Sequence, residues 1–255
     1  MRILVTNDDG IHAPGIAALE EIAHALSDDV WVCAPSDNQT GAGHSLTLAM
    51  PVRLRKHAER RFSVTGTPTD AVSIGLKQVM EGEPDLILSG INAGANLGDD
   101  ITYSGTVSAA MEGALAGVRS IAMSQVMKQD RPAWGDRFAA AREWGPKVIQ
   151  PLLGTPFQPR TLVSVNFPCL APEEVMGIRV ARQGFHDYAR ASVVEGRDPR
   201  GQRYYWFGLD AIEHTPDHGT DLEAIAAGYV SVTPLQLDLT HRASLEPLAQ
   251  RFNGR

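Results

Sequence analysis

Two acids, Asp8 and Asp9, stand side by side in NDDG (residues 7–10), directly after the apolar run ILVT (residues 3–6). Adjacent carboxylates repel unless something positive sits beside them, so the pair points to a bound cation. The competing reading is an ordinary turn, because Asp and Gly are turn formers and Asp caps helices. Two further polar loops decide between them. PSDNQTGAGHS follows the apolar run VWVCA, and GINAGANLGDDITYSGT leaves the run DLILSG. They supply the hydroxyls of Thr40 and Ser45 and the amide carbonyls of Asn92 and Asn96, without a histidine or cysteine cluster. An all-oxygen set suits a hard divalent cation such as magnesium, manganese or calcium. Three polar loops at equivalent strand ends favour a site over a turn.

In YSGTVSAAMEGALAGV, residues Ser104, Gly105 and Thr106 stand where a helix begins. Free backbone N–H groups and the positive end of the helix dipole collect there, and both suit a phosphate. The plainer reading is a Ser or Thr N-cap; a neighbouring metal site tips the balance to phosphate. Other candidates are weaker. GAGHSL (residues 41–46) lacks the third glycine of a dinucleotide loop and no strand leads directly into it. His12 and His44 lie in the right loops to donate a proton to a leaving group, but loop histidines without a visible partner are usually just solvated. Glu20 and Glu21 belong to a helix face turned to solvent. Tyr204, Tyr205 and Trp206 could stack on a base, although aromatic strands more often serve core or interface.

The elements that must hold these loops follow from apolar periodicity. ILVT reads as a buried parallel-type strand, and GIAALEEIAHAL places Ile16, Leu19, Ile22, Ala23 and Leu26 on one helix face, with Pro14 in the first turn. Strands are expected at residues 30–34 and 85–90, at SIAMS and at LVSVNFP, with FSVTG a strand or hairpin arm. Helices are expected over 70–80, about 106–117 and within 134–153. This order implies an α/β fold: a Rossmann-like parallel or mixed sheet with helices on both faces. From about residue 160 the character changes. GIRVARQG, RYYWFG and GYVSVT read as strands of a more antiparallel, arm-like region, and SLEPLAQRF as a terminal helix. The division drawn is a catalytic core over residues 1–180 and an extension over 181–255.

Composition excludes several alternatives. A chain of 255 residues with 43% hydrophobic content buries a sizeable core and is neither disordered nor fibrous. Its formal net charge of -7 offers no basic field for a nucleic-acid duplex. Cys33 and Cys169 lack metal or disulfide spacing and are read as buried apolar residues of a reducing compartment. No apolar stretch approaches the roughly 20 residues of a membrane helix, so a soluble, cytoplasmic protein is expected.

Four segments together, NDDGIHAPGI, GTPTDAV, SGINAGANLGDDITYSGTVSAAMEG and GTDLEAIAAGYVSVTPL, resemble the SurE survival protein family of metal-dependent 5'- and 3'-nucleotidases. The likeness is dense from residue 1 to about 125 and continues in outline through VNFP, YYWFG and GYVSVTPLQLDLT. It implies a Rossmann-like core, a carboxy-terminal arm exchanged between subunits of a homodimer or homotetramer, and hydrolysis of nucleoside monophosphates with some activity on short polyphosphate. It also implies one divalent cation per subunit, magnesium or manganese, held by Asp8, Asp9, Thr40 and Asn92. Asn96, Ser104, Gly105 and Thr106 match the family's phosphate-binding positions. Thr40 departs from the pattern: a serine usually stands there, and the extra methyl adds bulk beside the metal.

The resulting expectation is a phosphomonoesterase in which Asp8 or Asp9 orients or deprotonates a water; a non-catalytic nucleotide or phosphate sensor is the alternative. In phosphatases that form an aspartyl-phosphate, a second acid stands two residues after the nucleophile. Here that position is Gly10. Water is therefore the expected nucleophile.

Overall fold

The computed structural model describes residues 1–127, 136–186, 191–209 and 219–253. The first β-strand, β1 (Arg2–Thr6), alternates its side chains between two cores. Ile3 and Val5 face one side with helix α1 (Pro14–Leu26) and α4 (Ala139–Leu153); Leu4 faces the other, with α2 (Pro68–Ile74) and α3 (Gly105–Leu115). A strand covered by helices on both faces reads as an unbroken apolar run, as ILVT does.

Strands β2 (Asp29–Pro35) and β5 (Leu86–Ala93) flank β1, both parallel to it. The sheet extends past β2 through β4 (Arg61–Val64) to β3 (Leu54–Ala58), and past β5 through β6 (Ser120–Gln125) and β7 (Thr161–Phe167). The chain thus winds outward from β1 in one direction, then restarts at β5 in the other. Between β1 and β5 lies the topological switch point, where open α/β sheets gather ligands beyond the strand ends.

Most expected elements are present, with shifted ends. The expected helix over 70–80 stops at Ile74 and continues as a wider turn over Gly75–Val79, and β5 runs on past the expected residue 90 to Ala93. Residues 134 and 135, the first of the span in which α4 was expected, lie outside the described residues.

The largest difference concerns the carboxy-terminal region. GYVSVT forms β11 (Val230–Gln236), which pairs antiparallel with β7 inside the main sheet instead of joining an arm; β8 (Ile178–Val180) then pairs parallel on its outer side. The reason is burial: Val230 to Thr233 are all covered, with Val230 and Val232 closing the core on the α1 side. The separate two-stranded hairpin is β9 (Ala191–Arg197) with β10 (Arg203–Leu209). Helix α5 (Asp221–Ala226) leads into β11, and α6 (Leu245–Asn253) follows it. Of the cysteines, Cys33 is buried, its thiol pushed up to about 12 by burial, whereas Cys169 is half-buried. No helix among the described residues is long and apolar enough to cross a membrane.

Candidate functional site at the switch point

NDDG is a turn, and its acids are not spent on making it. Asn7 closes it by donating from Nδ2 to the Gly10 carbonyl at 2.9 Å. Helix α1 has Ala13 at its N-cap, without a side-chain cap, and Pro14 in its first turn, so neither aspartate caps it. The turn is fastened to the loop after β2: Ile11 N–H donates to the Pro35 carbonyl and Gln39 N–H to the Asp8 carbonyl, both at 2.8 Å. Gly10 has φ +101°, and a Cβ there would lie 3.2 Å from the Asp37 carbonyl carbon. That combination of left-handed backbone and close approach suits glycine.

The two carboxylates diverge. Asp8 is buried against the start of α3, where Thr106 donates its hydroxyl to Oδ1 at 2.5 Å. Gly105 permits this contact, since a Cβ there would sit 2.7 Å from Asp8 Cβ. Asp9 turns towards the end of β5: Oδ2 accepts the Ala93 N–H at 3.2 Å, and Oδ1 accepts from Asn38 Nδ2 at 3.5 Å. Burial raises the Asp8 carboxyl to about 6; the Thr106 hydroxyl pulls it down, Asp9 pushes it up, and backbone amides pull it down again. Asp9 is raised too, by burial first, against the Ala93 amide. A local positive charge is what such a pair lacks.

The neutral donors have their own commitments. Thr40 gives both its amide and its hydroxyl proton to Asn38 Oδ1, at 2.8 and 2.6 Å, which leaves the hydroxyl lone pairs open. Asn92 donates Nδ2 to the Gly94 carbonyl at 3.0 Å, leaving its carbonyl oxygen as the open group. Each of the four expected ligands therefore keeps an acceptor to offer. Among the described residues no three His, Cys, Asp or Glu side chains come together as a metal cluster. A cation held here would rest on two carboxylates and neutral oxygens, a donor set that fits a hard divalent ion.

Ser104 is the N-cap of α3, its Oγ accepting the Val107 N–H at 3.1 Å, so the capping reading holds for this residue. Capping leaves the first amides of the helix pointing outward. Asn96 is buried and held at three points: its N–H donates to Asn166 Oδ1 at 2.9 Å, Asn166 Nδ2 donates to its carbonyl at 3.0 Å, and its own Nδ2 donates to Ser124 Oγ at 2.8 Å. Asn166, next to last in β7, braces the loop from two strands away. Asp221 does the same from α5, accepting from Gly98 N–H and Gly184 N–H, both at 2.8 Å.

Asn38, Asn166 and Asp221 were not singled out in the sequence. The available signals were a second polar residue beside the expected ligands, an Asn closing a buried strand, and an acid following the Thr220 N-cap. Ser45 donates to its own loop at the Ala42 carbonyl, 2.9 Å away. His44 turns to Glu112 on α3, Nε2 to Oε2 at 3.3 Å, and Glu112 also takes the Ser73 hydroxyl at 2.6 Å. The Glu112 carboxyl is lowered by His44 first, against burial, with Ser73 helping. Glu20 is half-buried and ion-paired with Arg61, so it is more than a solvated helix residue.

An open α/β sheet carrying an acidic turn, a hydroxyl and an amide at its switch point, opposite a helix N-terminus, is the architecture of a phosphate-handling protein. The family model described as Survival protein SurE matches residues 3–190, and the chain belongs to this family. It is similar to two proteins named 5'-nucleotidase SurE. That from Erythrobacter litoralis is 66% identical over 253 residues, 99% of this chain and all of the relative; that from Rhizorhabdus wittichii is 58% identical over 246 residues, 96% and 97%. The crystal structure of the SurE protein from Aquifex aeolicus superposes with a TM-score of 0.84 at 40% identity, over 99% of this chain and 100% of that one.

Proposed function

We propose that the protein is a metal-dependent phosphomonoesterase that converts nucleoside 5'-monophosphates, and 3'-monophosphates beside them, to nucleoside and inorganic phosphate, with short polyphosphate a further substrate. The observation that carries this reading is the divergent acid pair. Two adjacent carboxylates, both raised by burial, lie beside hydroxyl and amide oxygens with open acceptors: Asp8 buried against the N-terminus of α3, and Asp9, half-buried, at the end of β5. Relatives named 5'-nucleotidase supply the substrate class. A divalent cation at Asp8, Asp9, Thr40 and Asn92, magnesium or manganese, supplies charge neutralisation and acidifies water.

The chain's own residues do the rest. The first amides of α3 hold phosphate oxygens without reorganising, because Ser104 fixes the first turn. Thr106 works through Asp8: its hydroxyl sets the carboxylate's rotamer. Asn96 is a positioning residue, keeping the loop that carries the helix start at a fixed depth. Asp9, less enclosed than Asp8, is the base that orients the attacking water. With both acids engaged and Gly10 where a second acid would stand, hydrolysis goes in one step with inversion at phosphorus. A cytoplasmic location fits the free Cys33 and Cys169.

Release of inorganic phosphate from a panel of 5'- and 3'-nucleotides, with manganese or with EDTA, tests the reading. Phosphate release that EDTA abolishes and manganese restores supports it. A protein that binds nucleotides but releases no phosphate under any metal is instead a sensor. Hydroxylamine-sensitive label on Asp8 or Asp9 after quenching would overturn the one-step route.

A further inference from the structure

Beside Asp9 the site opens into a cavity of about 470 Å³, walled by the turn after Asp9, the start of α1 and the loop after β2. Of the residues expected to hold metal or phosphate, Asp9 alone lines it. The volume is in the range of small-ligand pockets. Asp9 is thus shared between the acid pair and the cavity, so a nucleoside attached to a phosphate held at the pair has room on this side.

Besides Asp9, four polar residues line the cavity: His12, Ser36, Asp37 and Asn38. Asn38 is spent on Thr40 and Asp9. His12 stands edge-to-face with His57, ring centroids 5.5 Å apart, and forms a rim. Asp37 is exposed; its Oδ2 takes the Ser36 hydroxyl at 2.8 Å, and its Oδ1 has no protein partner among the described residues. Gly10 lets the Asp37 backbone lie against the acid turn, which keeps this carboxylate beside the site. Asp37 stands two residues beyond the end of β2. In dinucleotide-binding α/β sheets an acid about 20 residues beyond the first βα turn takes the ribose 2'-hydroxyl, which is a precedent for a carboxylate in this role.

We infer that this cavity is the nucleoside subsite and that Asp37 accepts hydrogen bonds from the ribose hydroxyls, making it a determinant of preference for ribonucleotides over deoxyribonucleotides. The inference rests on the nucleotidase reading and names the part of the substrate that this wall reads. A carboxylate accepting from a neutral hydroxyl forms one of the stronger classes of hydrogen bond. Its loss shows most where the hydroxyl is present.

The test compares kcat/KM for AMP, 2'-deoxy-AMP and p-nitrophenyl phosphate in the full-length protein and in Asp37→Asn and Asp37→Ala, with manganese present. The unaltered protein is expected to prefer AMP to 2'-deoxy-AMP by about tenfold. Both variants should bring that ratio close to one, and AMP turnover should fall far more than that of p-nitrophenyl phosphate, which has no ribose and reports folding and chemistry. Equal use of the two nucleotides by the unaltered protein overturns the inference and leaves the nucleotidase reading standing; so does a preference that survives both substitutions. If the unaltered protein hydrolyses none of the three esters, the nucleotidase reading fails and the inference falls with it.

Discussion

The switch-point crevice and the β9–β10 hairpin use apolar residues in opposite ways. In β1 and β5, Ile3, Leu4, Val5, Leu86, Ile87 and Leu88 are fully covered, and their burial fixes where the polar residues beyond the strand ends stand. In the hairpin, residues of the same kind face water: Trp206 is 69% exposed and Phe207 86%. A two-stranded hairpin is marginal on its own, and an apolar surface of this sort marks an interaction site. The four expected oxygen donors of the crevice all come from this one chain. For the hairpin we propose a second copy of the chain, in a closed homodimer or homotetramer, as its partner, which the dilution experiment below tests.

The sharpest break of this comparison is chemical. Asp8→Asn removes one charge from the crevice and keeps an acceptor for the Thr106 hydroxyl, so the fold should hold while turnover with manganese falls more than about a hundredfold. Phosphate release together with circular dichroism checks both halves. Wild-type activity in a folded variant would remove Asp8 from the ligand set.

The opposite substitution is on the hairpin. Trp206→Ser with Phe207→Ser should leave the crevice assembled and weaken self-association by about a hundredfold or more, at roughly 1.5–3 kcal/mol for each large side chain withdrawn from an interface. Sedimentation velocity across a dilution series measures it. Unchanged association would place the contact elsewhere. A cut from residue 185 onward is a poor version of this experiment, because it also removes β11, a strand of the main sheet.

How much of this was legible in the sequence follows the same division. ILVT and DLILSG announce strands covered on both sides, so the loops after them could be read as neighbours at one end of the sheet. The acid pair, the oxygens of Thr40, Ser45, Asn92 and Asn96 and the start of α3 were singled out that way, and the resemblance narrowed the expected ligands to Asp8, Asp9, Thr40 and Asn92. β11 was assigned to the arm because alternating strands look alike whether they pair with a hairpin partner or with β7; only its burial distinguishes them. Asn38 and Asn166 were missed for a different reason. Their partners are Thr40 next door and Asn96, 70 residues away, and no periodicity links a side chain to a distant loop. Asp37 carries no local signal at all; the cavity gives it meaning.

Between the two regions in expected effect is Gly105→Ala. The added Cβ would fall 2.7 Å from Asp8 Cβ and 2.9 Å from Asp8 Oδ2, so either the helix start or the carboxylate must move. Overpacking of this kind costs about 1–3 kcal/mol of stability. A small displacement of catalytic groups costs more in rate, here about tenfold or more. If activity and melting temperature both stay at the level of the unaltered protein, Asp8 is not held against α3 in solution.

The smallest effect concerns how the loop bearing Thr40 is fastened at its far end. Thr67 caps α2 and donates its hydroxyl to the Ser45 carbonyl at 2.7 Å, while Asp70 accepts the Thr67 N–H at 2.9 Å and the Thr47 N–H at 3.1 Å. Burial alone would raise the Asp70 carboxyl, but hydrogen bonds from Thr47 and Thr67 outweigh it and hold it below the ordinary value of 3.8. A carboxylate lowered on folding stabilises the native state above that ordinary value, and the contribution fades as pH falls through the lower native one. Asp70→Asn should therefore cost about 1 kcal/mol near neutrality, the usual scale of a lost cap. The gap between the variant and the unaltered protein should narrow below the ordinary value as Asp70 itself becomes neutral. Urea midpoints at several pH values measure both. A gap that widens on acidification would mean that the carboxyl is raised by folding, and that Thr47 and Thr67 do not hold the loop as the hydrogen bonds indicate.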